Sequence, residues 1–178
     1  MYPILRMAKE MVLARFQPPL DPEGTHVSRH TCWPWDIDVF LELNNGRTLT
    51  LYDLGRVPLA QRTGFLRALR RGGWSMTMAG AMVRYRRRVR PFVTVTMKSR
   101  LACWDGRFFY IEQAMWLPSG EAANHCVYRA AVVGKGGIVP PQQVAEQMGH
   151  TAPSPPMPAW IAAWAAAEDL RPWPPMDG

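Results

Sequence analysis

Four strand-like segments in a row, at about 74–90, 92–104, 107–117 and 122–133, limit the fold more than anything else in this chain. Arg90-Pro91, Asp105-Gly106 and Ser119-Gly120 separate them, turn signals at the spacing of an antiparallel meander. In the second segment Val93, Val95, Met97, Leu101 and Cys103 alternate with Thr94, Thr96, Lys98 and Arg100, as in a half-buried strand. The third, with Phe108, Phe109, Tyr110 and Ile111, is apolar on both faces and predicts a central strand covered on each side.

Upstream, Thr25 to Trp33 reads as a first strand stopped by Pro34. A helix follows from about Gly46, with Leu49, Tyr52 and Leu59 on its apolar face and Pro58 expected to kink or restart it. A shorter helical piece, Phe65 to Arg71, ends at Gly72-Gly73. Strand, helix, then four antiparallel strands predict an α+β fold. Its sheet of about five or more strands would wrap around one central helix, leaving one edge free for a second subunit. Residues 3–16 form an amphipathic helix carrying Ile4, Leu5, Met7, Ala8, Met11, Val12 and Phe16. Packing on the domain or on a partner subunit is its expected use, and lying on a membrane surface the lesser one. A C-terminal helical extension over 138–170 places a helix at 141–149, a stiff linker from Pro153 to Pro158 and a last helix from Ala159 to Leu170. At 178 residues the expectation is a single domain, 1–178, with its core at about 25–133.

Hydrophobic residues at 48% and charged residues at 20% argue for a globular chain rather than a disordered one. No apolar run reaches the ~20 residues a membrane span needs, and the first sixteen residues lack a signal-peptide core. The expected location is therefore the cytoplasm. Cys32, Cys103 and Cys126, each in an expected strand, suit reduced, buried thiols. The absence of Cys-x-x-Cys and His-x-x-x-His spacings argues against a metal site. A net charge of +7 favours an anionic partner without choosing among nucleic acid, phospholipid and a small phosphorylated ligand.

The stretch most suggestive of chemistry runs from Asp36 to Arg47. Two carboxylates, Asp36 and Asp38, lie two residues apart in an apolar loop, and Asn44-Asn45 then precedes the long helix. Asparagine caps helices well, and the first turn beyond a cap presents free N–H groups and the positive end of a dipole. A carboxylate beside such a terminus can serve as general base or nucleophile, and the helix end can hold negative charge on a carbonyl oxygen. A merely capped helix with two solvated aspartates is the plainer alternative.

Asp36-Ile37-Asp38 followed by Leu43-Asn44-Asn45 and Arg47 resembles the Asp-x-Asp…Asn-Asn-x-Arg motif of hotdog-fold acyl-CoA thioesterases, in the branch of 4-hydroxybenzoyl-CoA thioesterase. Arg84-Tyr85-Arg86-Arg87-Arg88, Ser99-Arg100-Leu101, Trp104-Asp105 and Phe108 to Gln113 are similar to the strands of thioesterase superfamily member six and its bacterial relatives. Together these stretches cover about 25–133. The resemblance implies a hotdog fold acting as a homodimer or homotetramer, with active sites between subunits. It implies Asp38 as nucleophile or general base and the N–H of Asn45, or its neighbour, as the group polarising the thioester carbonyl. Asp36 would orient the loop or be a partly solvated partner. Many relatives carry histidine four residues after the catalytic aspartate, where this chain has Glu42; a second acid there could orient water. The implied activity is hydrolysis of an acyl-CoA to free acid and thiol, without any cofactor, since coenzyme A is part of the substrate. A non-catalytic protein holding acyl-CoA or a lipid-like ligand is the alternative.

Read as a strand, Arg84, Arg86, Arg88 and Arg90 share one face, and guanidinium forks match the phosphates of coenzyme A. With Asp36 and Asn44 they are the candidate substrate contacts; a solubilising or acid-paired face is the alternative reading. A nucleic-acid surface is a poor fit, because the aromatics that would stack on bases fall on strands expected to be buried. Glu112 and His125 are lesser candidates for a base, and Gly134-Lys135-Gly136-Gly137 reads as a turn, lacking the spacing of a phosphate loop.

Overall fold

The computed structural model describes residues 2–176. In chain order these build α1 (Ile4–Arg15), β1 (His26–Thr31), α2 (Asn45–Arg62), α3 (Phe65–Gly72), β2 (Ser75–Tyr85) and β3 (Thr94–Trp104). Then come β4 (Phe109–Trp116), β5 (Ala122–Gly134), β6 (Gly137–Val139), α4 (Pro141–Gln147) and α5 (Ala159–Leu170). The sheet is antiparallel in the order β1-β3-β4-β5-β2, with β6 hairpinned back onto Val132–Gly134 of β5. β3, β4 and β5 pair as the expected meander, but β2, expected beside β3 across the Arg90-Pro91 turn, lies instead on the far edge against β5, and β1 takes the place beside β3.

The apolar stripe of α2 is buried on the inner face of the sheet, where Leu51, Tyr52 and Leu54 lie in one core with Met97, Met115 and Cys126. Polar contacts set how the helix sits. Gln113 Nε2 donates to Tyr52 O (2.9 Å) and Ser99 Oγ (2.7 Å), and Tyr52 Oη donates to Asn124 Oδ1 (2.5 Å). Helix and sheet approach so closely at Gly55 that a Cβ there would fall 2.5 Å from Ser99 Oγ. The outer face of the sheet is covered as well. Ile161 of α5, with Trp164 beside it, packs on Cys103, Phe108, Tyr110 and Val127. Burying a side chain the size of Ile161 stabilises by roughly 1.5–3 kcal/mol. This double cover accounts for the two-sided apolar character of β4.

Several expectations need correction. Pro58 does not divide the helix, since α2 runs unbroken from Asn45 to Arg62. Cys32 follows β1 instead of lying in it, although all three cysteines are free and buried as expected. A register shift between Leu101 and Cys103 breaks the alternation of β3, so Leu101 packs inward and Cys103 against α5. Most consequentially, β2 ends at Tyr85. Its partner β5 begins at Ala122, and Arg86 and Arg87 both donate their N–H groups to Ala123 O (2.8 and 3.0 Å). The ladder with β5 stops there, so Arg84, Arg86, Arg88 and Arg90 do not form a row on one strand face.

Helix α1 packs on α2 with its polar side partly inward: Glu10 is buried, whereas Ile4, Leu5, Val12 and Phe16 are exposed. Hydrophobicity alone would have turned it the other way. Arg6 faces inward because it pairs with Asp36 at 2.7 Å, while Glu10 pairs with Lys9 at 2.9 Å and lies 3.9 Å from His30. His30 in turn shares a 2.8 Å hydrogen bond with Ser28 Oγ. Burial, with help from Arg6 and Lys9, pushes His30 down to about 3; burial and Arg62 push His26 down to about 4. Both imidazoles are depressed below the unfolded value of about 6.5. In the interval between, the unfolded chain binds more protons than the folded one, so acid favours unfolding. Stability is therefore expected to be full above about pH 6.5 and to fall as pH drops towards 4. Urea midpoints measured across that range will show the slope, and His30→Gln should flatten it.

Among the described residues no helix is long and apolar enough to cross a membrane.

Candidate functional site

The loop between β1 and α2 is shaped from within. Pro34–Asp36 forms one 3-10 turn, and a single bridge joins Ile37 to Leu43. Asp36 is wholly buried. Its carboxylate takes Arg47 Nε at 2.6 Å, Arg6 Nη1 at 2.7 Å and the Trp33 N–H at 3.1 Å, while its carbonyl accepts the Asn44 N–H at 3.0 Å. It is a clamp tying α1, the loop and the start of α2 together, and a partly solvated role is excluded. Beyond it, Asp38 N–H donates to Glu42 O (2.9 Å) and Leu41 N–H to Asp38 O (3.1 Å), closing a tight turn. Leu41 holds φ of 56°, and the Asp38 carboxylate accepts the Phe40 N–H at 2.9 Å. Asp38 is half-buried at the base of this turn, whose tip exposes Val39, Phe40 and Leu41.

The helix begins one residue earlier than the sequence suggested. Asn44 is the cap, its Oδ1 accepting the Arg47 N–H at 3.0 Å, and Asn45 is the first helical residue. The N–H groups of Asn45 and Gly46 therefore belong to the turn that has no intrahelical partner. Asn45, at this start, borders a cavity of about 170 Å³ together with Glu42, Thr48, Tyr85, Asn124 and the segment Arg86–Arg88. Tyr85 Oη donates to Asn45 O at 3.2 Å, and burial raises its phenol. Arg88 pairs with Glu42 at 2.9 Å and Arg87 with Glu121 at 2.9 Å, while no ion-pair partner of Arg86 occurs among the described residues. Three arginines thus border the cavity, of which Arg88 pairs with its one carboxylate, Glu42, and Arg87 with Glu121 outside it.

The structure thus separates the candidates into three sets. Glu42, Asn45, Arg86 and Arg88 meet in that cavity. Asp36 and Asn44 border a different cleft of about 430 Å³ with Tyr2, Trp35 and Arg47, on the side of α1. Asp38, Arg84 and Arg90 line neither. Arg84 stands on β2 opposite His125, and the buried Val89 between Arg88 and Arg90 accepts the Leu43 N–H at 2.9 Å, anchoring the segment against the loop. Glu112 and His125 do bond each other (2.8 Å), with Arg100 on the same carboxylate, but beside Trp160 of α5 on the outer face. The His125 bond, more than Arg100, holds the Glu112 carboxyl below its usual range. Arg6, Arg47, Tyr85 and Asn124 were not singled out from sequence. Of these Arg47 and Tyr85 had a signal, their places in the Asn-Asn-x-Arg motif and in the Arg84-Tyr85-Arg86 stretch.

No group of three or more potential metal ligands occurs among the described residues. The chemistry open to the cavity is binding of an anion by arginine and stabilisation of an oxyanion by a helix start.

Comparison with known proteins agrees with this layout. The sequence pattern of the thioesterase-like superfamily matches residues 32–165. Protein THEM6 of Xenopus laevis is 37% identical over 110 residues, which is 61% of this chain and 53% of that protein. The chain thus spans about half the length of that curated relative. YbaW, a probable thioesterase from Escherichia coli, superposes with a TM-score of 0.64 at 17% identity, covering 69% of this chain and 98% of that one. The hypothetical protein SAV2348 of Staphylococcus aureus, solved in complex with CoA, superposes with a TM-score of 0.60 at 9% identity over 82% of this chain and 96% of that one. The curled sheet around α2 is the hotdog fold.

Proposed function

The chain belongs to the thioesterase-like superfamily, and from that premise we propose that it hydrolyses an acyl-CoA thioester to the free acid and CoA. The observation that carries this reading is the meeting of the unpaired N–H groups of α2 with Glu42 and three arginines around one cavity. The thioester carbonyl oxygen sits at the N–H of Asn45 or Gly46, where the helix start favours the charge that develops on it. Asp38 takes a proton from a water that attacks the carbonyl carbon, and the carbon–sulfur bond breaks with that proton passing to the departing sulfur. Alternatively Asp38 attacks the carbon itself, CoA leaves as thiolate, and water then hydrolyses the acyl–Asp38 anhydride to give the free acid and restore the carboxylate. Glu42 orients water. Arg86 and Arg88, with Arg87, hold the phosphates of the CoA moiety, a polyanion that suits their excess of positive charge. A relative by fold, SAV2348, was solved with CoA, which supports the ligand class.

The working unit is a homodimer. β2 is an edge strand of eleven residues, and Ser75, Thr77, Ala79 and Ala81 along it are exposed and small. An open edge of this kind is a template for pairing with a second chain. The exposed tip Val39-Phe40-Leu41 is the kind of apolar surface a partner covers, and covering it would bring the turn of Asp38 into a cleft between subunits. The test is thiol release from a panel of acyl-CoAs, run beside light-scattering mass measurement. Turnover by a dimer is the expected result. Binding of CoA esters without thiol release would replace the enzyme with a carrier.

A further inference from the structure

Eleven residues beyond Asn45, α2 carries an arginine that the reading above does not use. Arg56 is only 8% exposed, its guanidinium stacks 4.0 Å over the ring of Tyr128, and one terminal nitrogen pairs with Asp53. Its other terminal nitrogen, Nη1, is buried without a hydrogen-bond partner among the described residues. A buried charged donor left unmatched is costly and asks for an acceptor. Arg56 borders a narrow cleft whose other walls include Leu59, Phe65, Met76, Leu101, Phe109 and Ile111. The cleft is about 40 Å³, room for roughly three water-sized groups. Such a space suits the end of a chain, and its single polar wall is Arg56 with Thr63 nearby.

We propose that this cleft receives the far end of the acyl chain and that Arg56 selects chains bearing an uncharged oxygen, hydroxyl or oxo, at that end. The inference rests on the thioesterase reading and adds a substrate class to it. Distance sets the length: eleven residues of helix span about 16 Å, or about a dozen bonds of extended chain. Charge sets the chemistry. Asp53 already balances the guanidinium, so a carboxylate at the tail would meet a like charge beside it, whereas a neutral oxygen would not. A plain methyl end leaves Nη1 unmatched. A site built around a hydrogen bond discriminates against the analogue that lacks the bonding atom.

The experiment compares kcat/KM for ω-hydroxydodecanoyl-CoA, dodecanedioyl-CoA and dodecanoyl-CoA with the full chain. The hydroxylated ester is expected to lead the plain one by about tenfold to a hundredfold, with the diacid behind the hydroxylated ester. In Arg56→Met, similar in length and unable to donate, the lead should vanish. Equal turnover of the hydroxylated and plain esters by the wild-type protein overturns the proposal even if the variant does not fold, as does a lead that survives in Arg56→Met. A diacid that leads overturns the choice of a neutral oxygen. Should no ester release thiol, the hydrolase reading fails separately, and the tail site is then judged by calorimetry with ω-hydroxydodecanoic and dodecanoic acids. Tighter binding of the hydroxy acid supports it, and equal binding overturns it.

Discussion

Asp38→Asn is expected to lower kcat for acyl-CoA hydrolysis about a thousandfold, the range over which a positioned base or nucleophile acts, with the fold intact. The structural reason for an intact fold is local. The Asp38 side chain is half-buried and accepts one N–H, from Phe40 at 2.9 Å, a bond the asparagine oxygen can keep. The companion variant is Asn45→Pro. Proline is favoured at the first helical position, where its missing N–H costs the helix nothing. The preceding Asn44 already holds φ of −59° and ψ of 138°, a conformation proline accepts in front of it. The substitution should spare the helix and remove a single donor, with a loss of about a hundredfold to a thousandfold in kcat if that donor holds the oxyanion. Asn45→Ala, which retains the N–H, should do far less. Thiol-release kinetics check all three. Retention of more than about a tenth of wild-type turnover by Asp38→Asn would remove it from the chemistry and leave Glu42, the acid that borders the cavity, as next in line.

The largest effect on stability is expected from Asp36→Ala. Asp36 is fully buried and takes three donors: Arg47, Arg6 and the Trp33 N–H. Both arginine side chains are more than four-fifths covered, so removal of the carboxylate takes from two cations, in a poorly solvated place, the countercharge they share. Breaking a buried pair by deleting one partner costs about 3–5 kcal/mol. Urea denaturation should show that loss as a lower midpoint with an unchanged slope. Adding Arg6→Met to Asp36→Ala should recover part of it, because one of the two like charges that shared the carboxylate is gone. A loss below about 1 kcal/mol would mean that water reaches the clamp and that α1 is held by other contacts. Because Asp36 also accepts the Asn44 N–H through its carbonyl, loosening this clamp is expected to disturb the helix cap and to reduce activity from outside the cavity.

These two aspartates show where one-dimensional reasoning stops. They differ by two positions and share a residue type, so local sequence offers no means to say which is the clamp and which is left within reach of a partner. Burial decides it, and the burial of Asp36 is created by Arg6, thirty residues away, and by Arg47 on the next helix. The arginine run gives a second example. Alternation would place Arg84, Arg86, Arg88 and Arg90 on one face, but a strand lasts only while a neighbour supplies hydrogen bonds. Here β5 begins at Ala122, and the ladder is exhausted at Tyr85. Freed from the sheet, Arg86–Arg88 turns towards the start of α2 and meets Glu42.

What the chain's order determined by itself was everything set by short-range chemistry. Turn residues placed the β3-β4-β5 meander, though not the pairing of β2, the double glycine ended α3, asparagine marked the start of α2, and two-sided apolarity marked β4 as the covered strand. Tertiary structure alone decided which face of α1 turns inward, that a helix can run through Pro58, that α5 closes the outer face of the sheet, and which acids meet which arginines. The division follows from range. Backbone preference and hydrophobic period act between neighbours, whereas the free energy of a buried charge is set by partners that the chain brings near only once it has folded.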